Sequence, residues 1–261
     1  MTAVFALPWI GIRTLTVWNR NRIVWMQGAW LSTVFGELFE PILYIFAFGY
    51  GLGSMIPEMG GMSYIHFIVP GALGLSIMYS SSFECTYGSF TRMSRQKTYE
   101  AVMLTPVALE EVVAGDIFWG ATKGLIGGFF VVCVVSVAGL AQSPYLVLAM
   151  PASFLVGLTF AAMAQLVTAL APNYDFFTYY FTVVLTPMWL LSGAFFPVET
   201  LGPFWTGVAG FQPLFHAVTV FRELAAGRVH PGLLHHVAWL LLYAYVAFAL
   251  SINLIKRRIV K

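Results

Sequence analysis

Six apolar stretches, at about 29–50, 65–90, 112–140, 144–170, 176–196 and 232–255, dominate this chain and constrain it more than any motif does. Each holds the roughly 20 residues that a helix needs to cross a bilayer core about 30 Å thick. The basic residues avoid them. Ten of the thirteen Lys and Arg residues fall in three clusters: Arg13, Arg20 and Arg22; Arg92, Arg95 and Lys97; and Lys256, Arg257, Arg258 and Lys261. Positive-inside bias puts all three clusters in the cytoplasm. An even number of spans joins a cytoplasmic N-terminus to a cytoplasmic C-terminus, so two independent arguments agree on one topology. With 59% hydrophobic and 9% charged residues and a mean hydropathy of +0.82, the expectation is an all-α, multi-pass membrane protein. Residues 1–261 form one transmembrane domain on this reading, and the net charge of +2 gives no reason to expect a nucleic-acid partner.

Four segments outside the plain spans carry further information. In 8–25, Trp9, Ile12, Leu15, Trp18 and Trp25 recur near helical spacing, with Arg13, Thr16 and Arg20 on another face. This predicts an amphipathic helix lying flat at the inner membrane surface, as a basic anchor or as a contact for a cytoplasmic partner. Segment 92–104 mixes Arg92, Arg95, Lys97 and Glu100 with Tyr99, Val102, Met103 and Leu104, which predicts a short exposed amphipathic helix. It is a docking surface or a solvated connector. Thr105 and Pro106 have the residue types of a helix N-cap and first turn, so the third span is expected to begin there.

Segment 197–227 is too apolar for a solvated loop, yet Pro203, Pro213, Gly202, Gly207 and Gly210 forbid a continuous span. Irregular backbone at membrane depth survives only under cover of protein or a wet cavity. Two short re-entrant or interfacial helices on the outer side meet both constraints. Pro172, Asn173 and Asp175 predict a tight cytoplasmic turn between the fourth and fifth spans.

Ionisable groups inside a membrane cost roughly 2.5–3.5 kcal/mol each and need partners. Glu37, Glu40, Glu84 and Lys123 all lie, by helical rise, about 10–17 Å from the inner boundary. They are expected to form one polar tier in the bundle interior, with Lys123 paired to Glu84 or to a first-span glutamate, as a transport element or as a packing ion pair. Gly120, Gly124 and Gly128 form a stripe at four-residue spacing that permits close helix contact. At the start of the fifth span, Tyr174, Phe177, Tyr179, Tyr180 and Phe181 make an aromatic cluster, either an interfacial belt or a path for sugar rings or acyl chains.

Neither a G-x-x-x-x-G-K-[ST] phosphate loop nor H-E-x-x-H is present. The chain is therefore not expected to hydrolyse ATP or to be an enzyme. Ser192 beside Gly193 lacks the flanks of a serine protease, and His230, His235 and His236 read as surface histidines before the last span rather than as metal ligands.

The ordered set of an amphipathic helix, six spans, RQKTYEAVMLTPVALEEVVAGD, LSGAFFPVETL and QPLFHAVTVFRELAAG resembles a type-2 ABC exporter permease over nearly the whole chain. FECTYGSFTRM, WGATKG and TALAPNYDFF are most similar to the permeases of nodulation-factor, or lipo-chitooligosaccharide, exporters. The resemblance implies a homodimer in the bacterial cytoplasmic (inner) membrane, bound to two separate ATPase subunits that hold ATP and Mg; this chain itself needs no cofactor. It also implies that 92–104 is the coupling helix on which the ATPases dock, 8–25 the interfacial helix and 197–227 the external re-entrant pair. The substrate would be an amphipathic lipo-oligosaccharide moved outward. Efflux of hydrophobic drugs, or a proton-coupled secondary carrier working through the polar tier, are the alternatives.

Overall fold

The computed structural model describes residues 10–28, 30–56, 58–141 and 143–259, and the fold it shows is almost wholly helical. Helix α1 (Arg13–Gly28) is followed by α2 (Trp30–Ser54), a hairpin of β1 (Glu58–Met59) and β2 (Met62–Ser63), and α3 (Tyr64–Arg95). Then come the short α4 (Thr98–Met103), α5 (Leu109–Val137), α6 (Pro144–Leu170), α7 (Phe176–Leu190), α8 (Pro203–Ala209), α9 (Pro213–Ala225) and α10 (Leu233–Ile259). Pro8, Trp9 and Lys261 lie outside the described residues.

Five of these helices, α2, α3, α5, α6 and α10, are long and apolar enough to cross a membrane; α7 is apolar but shorter. Fifteen residues rise only about 22 Å. The chain nevertheless runs the length of α3 here: Tyr174 packs on Tyr87 and Phe90 at one end, and Ala194 lies against Gly71 near the other. The turn at 191–194 carries the chain on from the end of α7 to the Gly71 contact.

The core is a tight group of α3, α5 and α6, with α10 against α6 and α1 laid along the first half of α5. Glycines make the close approach possible. A Cβ on Gly124 would fall 3.0 Å from Ile77 Cγ2 and 3.1 Å from Gly157 Cα, and one on Gly120 would fall 2.5 Å from Cys85 Sγ. The stripe expected on this helix is therefore its contact face. With little hydrophobic drive between helices in lipid, dispersion at such close contacts is the main attraction available. Buried hydroxyls add to it: Thr168 donates to the Cys85 carbonyl at 2.7 Å and Thr159 to the Leu240 carbonyl at 3.1 Å.

The basic clusters converge on one end of the bundle. Arg13 donates to the Pro106 carbonyl, Lys256 meets Glu110 at 2.7 Å, and Arg258 caps the end of α6 by donating to the carbonyls of Thr168, Ala169 and Ala171. A cation on unsatisfied carbonyls at a helix C-terminus is favourable through both hydrogen bonding and the helix dipole.

Three expectations are corrected here. The second long helix does not stop near residue 90 but continues in two wide π-helical turns, Glu84–Gly88 and Thr91–Arg95; the break falls at Lys97, whose φ of 54° is left-handed. The helix after it is only Thr98–Met103. Thr105 and Pro106 do not open α5, which begins at Leu109 with the Ala108 N–H donating to Glu111 Oε2 at 2.9 Å; the Thr105 hydroxyl instead closes the preceding turn on Val102. The buried side of α1 is Thr14, Val17 and Asn21, while Ile12 and Leu15 are exposed, because Gly115 of α5 leaves a recess that Val17 fills. Trp18 and Trp25 turn edge-on to Trp119 of α5.

The Gly124→Val variant should be destabilised by about 3 kcal/mol through overpacking. Gly36→Ala, whose Cβ meets nothing within 4 Å, should change the thermal midpoint little. Heating detergent-solubilised protein and measuring the fraction that stays monodisperse distinguishes the two.

Candidate functional site

Along α3 the residues Ser76, Tyr79, Ser80, Phe83, Glu84 and Tyr87 recur at three- and four-residue intervals, which puts them on one face. Helix α2 stands over this face without closing on it: Glu37 reaches Ser80, yet almost all of α2 is unburied in the subunit. A cavity of about 560 Å³ opens between them, and Glu37, Glu40, Glu84 and Lys123 all line it. The four members of the expected tier are therefore brought together by three different helices.

Their pairing differs from the expectation. Glu84 is bound not to Lys123 but to Arg92, Nη1 to Oε1 at 2.8 Å. The Lys123 ammonium lies over the Trp25 ring, 5.1 Å from its centroid. The cause is reach across α3: Glu84 and Arg92 are two turns apart, and Gly88 between them has no side chain to block the contact. A Cβ there would be 2.8 Å from Glu84 Oε1 and 3.4 Å from Arg92 Nη1. Glu37 accepts from the Ser80 hydroxyl at 2.5 Å.

Two adjoining grooves extend this cavity. Gly36 and Glu40 also border a groove of about 450 Å³ toward Phe48, and Tyr87 and Gly88 border one of about 340 Å³ that reaches Arg20, Arg92 and Gln96. Together they form a trough that follows α3 from Gln96 to Ser76 and continues along α2 to Phe48. Those 20 residues would rise about 30 Å as pure α-helix and rise less through the two π-helical turns. Carboxylates and hydroxyls line its middle, and aromatic rings form a wall.

The wall is where the expected aromatic cluster divides. Phe181 stacks on Tyr79 and Phe83, with centroids 6.1 and 4.5 Å away, and Tyr174 stacks on Tyr87 at 6.2 Å. Tyr179 is exposed on the other side of α7. Phe177 and Tyr180 are corrected: both are buried in the core, Phe177 edge-on to Tyr87 and Phe90, and Tyr180 within 3.5 Å of the Ser82 hydroxyl. Tyr79, Ser80, Phe83 and Tyr87 were missed because an apolar span with scattered hydroxyls reads as buried helix. The signal present was the polar stripe Ser76, Ser80, Glu84 at four-residue spacing.

The expected docking helix also divides. Lys97 pairs with Glu100 at 2.9 Å and both are exposed, Leu104 is 90% exposed, and Val102 and Met103 are half-buried at its base. Arg95 lies in the last turn of α3, with its guanidinium over Tyr174. Arg92 and Tyr99 are withdrawn from this surface. Both bind Asp116 of α5: Arg92 Nε reaches Oδ2 at 3.1 Å, the Tyr99 hydroxyl donates to the same oxygen at 2.7 Å, and Asn21 of α1 donates to Oδ1 at 2.6 Å. Gln165 of α6 donates to the Tyr99 oxygen at 3.0 Å. Burial and the adjacent carboxylate push the Tyr99 hydroxyl well above its usual range, so it remains a donor.

Ser192 donates to the Trp189 carbonyl, His230 and His235 are exposed, and half-buried His236 shares a 2.8 Å contact with buried His216. Burial beside His236 lowers His216 to about 4. Among the described residues no group of three His, Cys, Asp or Glu side chains could hold a metal ion.

The family model "ABC-2 type transporter" matches residues 13–225. Nodulation protein J of Rhizobium meliloti (strain 1021) is 41% identical, covering 98% of this chain and 97% of its own length. Nodulation protein J of Rhizobium leguminosarum bv. trifolii is 39% identical, over 99% and 98%. The inner membrane transport permease YadH of Escherichia coli (strain K12) is 27% identical over 83% of each chain. No solved structure matches significantly.

Asp116→Ala should lose about 3 kcal/mol, since it takes from the buried Arg92 guanidinium one of its two carboxylates and leaves the Tyr99 hydroxyl and the Asn21 amide without their acceptor. Lys97→Ala, at an exposed pair, should cost about 0.5 kcal/mol or less. Thermal unfolding of the two variants against the parent checks this.

Proposed function

We propose that this chain, which belongs to the ABC-2 type transporter family, is the membrane subunit of an ATP-driven exporter that moves an amphipathic lipo-oligosaccharide outward through the trough along α3. Its family makes it a transport subunit and a multi-pass protein of the bacterial inner membrane. The observation that carries the rest is the trough itself, lined by carboxylates, hydroxyls and stacked rings on a flank the subunit leaves open. Sugars are bound by such a combination: hydroxyl and amide hydrogens go to carboxylate and serine oxygens, and ring faces lie on aromatic side chains. The full-length likeness to proteins named for nodulation favours a lipo-chitooligosaccharide.

In this reading the chain crosses the membrane six times, α7 and the turn after it making the fifth crossing. Both termini and the basic end are cytoplasmic, α1 lies at the inner surface, and α8 and α9 re-enter from outside. A second copy faces α2. An exposed carboxylate such as Glu40 on a spanning helix is costly against lipid, and a partner subunit enclosing a wet path removes that cost. Two ATPase subunits, holding ATP and Mg, dock on the exposed face of α4 around Lys97, Glu100 and Leu104. ATP binding draws them together, and the docked helices open the path outward. The carboxylates in the cavity also suit a proton-coupled carrier, and a hydrophobic drug would fit the aromatic wall.

Purification in mild detergent should bring down a stoichiometric protein with a phosphate loop; its absence would favour the carrier. Export that survives an uncoupler at constant ATP would exclude the carrier, and export that collapses would exclude the ATP-driven reading. Ser80→Trp, which fills the cavity, should reduce export of a labelled lipo-chitooligosaccharide by tenfold or more in order of magnitude without lowering membrane abundance. Unchanged export would place the path elsewhere.

A further inference from the structure

Arg92 holds two carboxylates that belong to different worlds. Asp116, 1% exposed, sits where α1, α3, α4 and α5 meet. Glu84 lines the trough. One guanidinium joins them, through Nε to Asp116 and Nη1 to Glu84, and its remaining nitrogen donates to Ser89 at 3.1 Å. On the far side of Asp116 stands Tyr99, the one buried residue of α4. That helix is short, it is preceded by the left-handed Lys97, and it is followed by exposed residues from Leu104. Its deepest anchorage is the Tyr99 hydroxyl.

We propose that Tyr99, Asp116, Arg92 and Glu84 form a relay that couples the position of α4 to the charge presented in the trough, with Tyr99 and Arg92 as positioning residues; this rests on the exporter reading above. The physical basis is competition. Asp116 is satisfied by donors from three elements, and Arg92 is shared between two anions in a site that excludes most water, where each charge-assisted bond counts for more than in solvent. If α4 moves and withdraws the Tyr99 hydroxyl, Asp116 loses a donor and draws the guanidinium toward itself. Glu84 then joins Glu37 and Glu40 with Lys123 as the one cation among the described residues lining the cavity, and the trough changes from a balanced surface to a net acidic one that repels anions, attracts water and widens. With Tyr99 in place the guanidinium is free to be shared and Glu84 stays masked. Asn21, on the other oxygen of Asp116, keeps the hub fixed while α4 moves. Gly88 leaves the passage through which the Arg92–Glu84 contact forms and breaks.

The test uses the purified permease–ATPase complex with Ser80→Cys as a reporter in the trough and Cys133→Ser to silence the partly exposed native thiol; Cys85 is fully buried. The rate at which a water-soluble maleimide labels position 80 is compared without nucleotide and after trapping with ATP and vanadate. The parent should show a change on the order of fivefold or more, and adding either Tyr99→Phe or Gly88→Ala should collapse it to within about twofold while ATP hydrolysis continues. Gly88→Ala keeps the Tyr99–Asp116 bond and crowds only the Arg92–Glu84 contact, so it decides the matter if Tyr99→Phe fails to assemble. A nucleotide response that survives Gly88→Ala, or survives Tyr99→Phe in the assembled complex, overturns the relay and leaves the exporter reading standing. A parent complex that holds its ATPase but shows no nucleotide response overturns the relay alone, whereas a parent with no ATPase bound removes the exporter reading and the relay together.

Discussion

The buried carboxylate of Asp116 is the point on which the basic end of this protein depends. A charge placed 1% exposed among helices is tolerated only with a full set of donors, and it draws those donors from Asn21, Arg92 and Tyr99, side chains of three different helices. Satisfying it fixes how α1 lies on α5, where α3 ends, and how the short α4 is held beneath the bundle. The same requirement explains why Arg92 and Tyr99, which have the residue types of an exposed docking surface, turn inward and leave that surface to Lys97, Glu100 and Leu104.

Away from this end, lipid removes most of the hydrophobic drive between helices, and the bundle is held by close backbone approach and by hydroxyl-to-carbonyl bonds. Glycines on α5 let it sit against α3 and α6 at distances a side chain would forbid. The cost of that tight central group is that α2 is left outside it. Because α2 stands apart, with half-buried Glu37 toward α3 and Glu40 exposed, the polar stripe of α3 becomes one wall of an open trough rather than a sealed interior. The trough and the exposed flank of α2 are thus two consequences of the same packing.

Much of this is legible in the sequence. Hydropathy located the five long helices within a few residues, the charge clusters anticipated that their basic residues share one end, and helical rise placed Glu37, Glu40, Glu84 and Lys123 at one depth. Depth is one-dimensional information, however. It could not say that Arg92, two turns from Glu84, would outcompete Lys123 for it, because that depends on the wide turns of α3 and on the empty side of Gly88. Nor could it separate Phe177 and Tyr180, which are buried, from Tyr174 and Phe181, which stack against the wall, since all four have the same chemistry and differ only in the direction they face.

The sequence by itself determined the class of the protein: an apolar, sparsely charged chain must satisfy its backbone within helices, and its basic residues must gather away from lipid. The order of its segments was enough to carry the family resemblance. Only the tertiary structure decided which charges meet, which aromatic rings line a surface and which fill the core, and that α3 presents its polar face to an opening instead of to a neighbour. The physical reason is that composition and periodicity fix depth and helicity, which are properties of one segment. Pairing, burial and cavity shape are properties of several segments at once, set by glycine contacts and by the demands of one buried carboxylate.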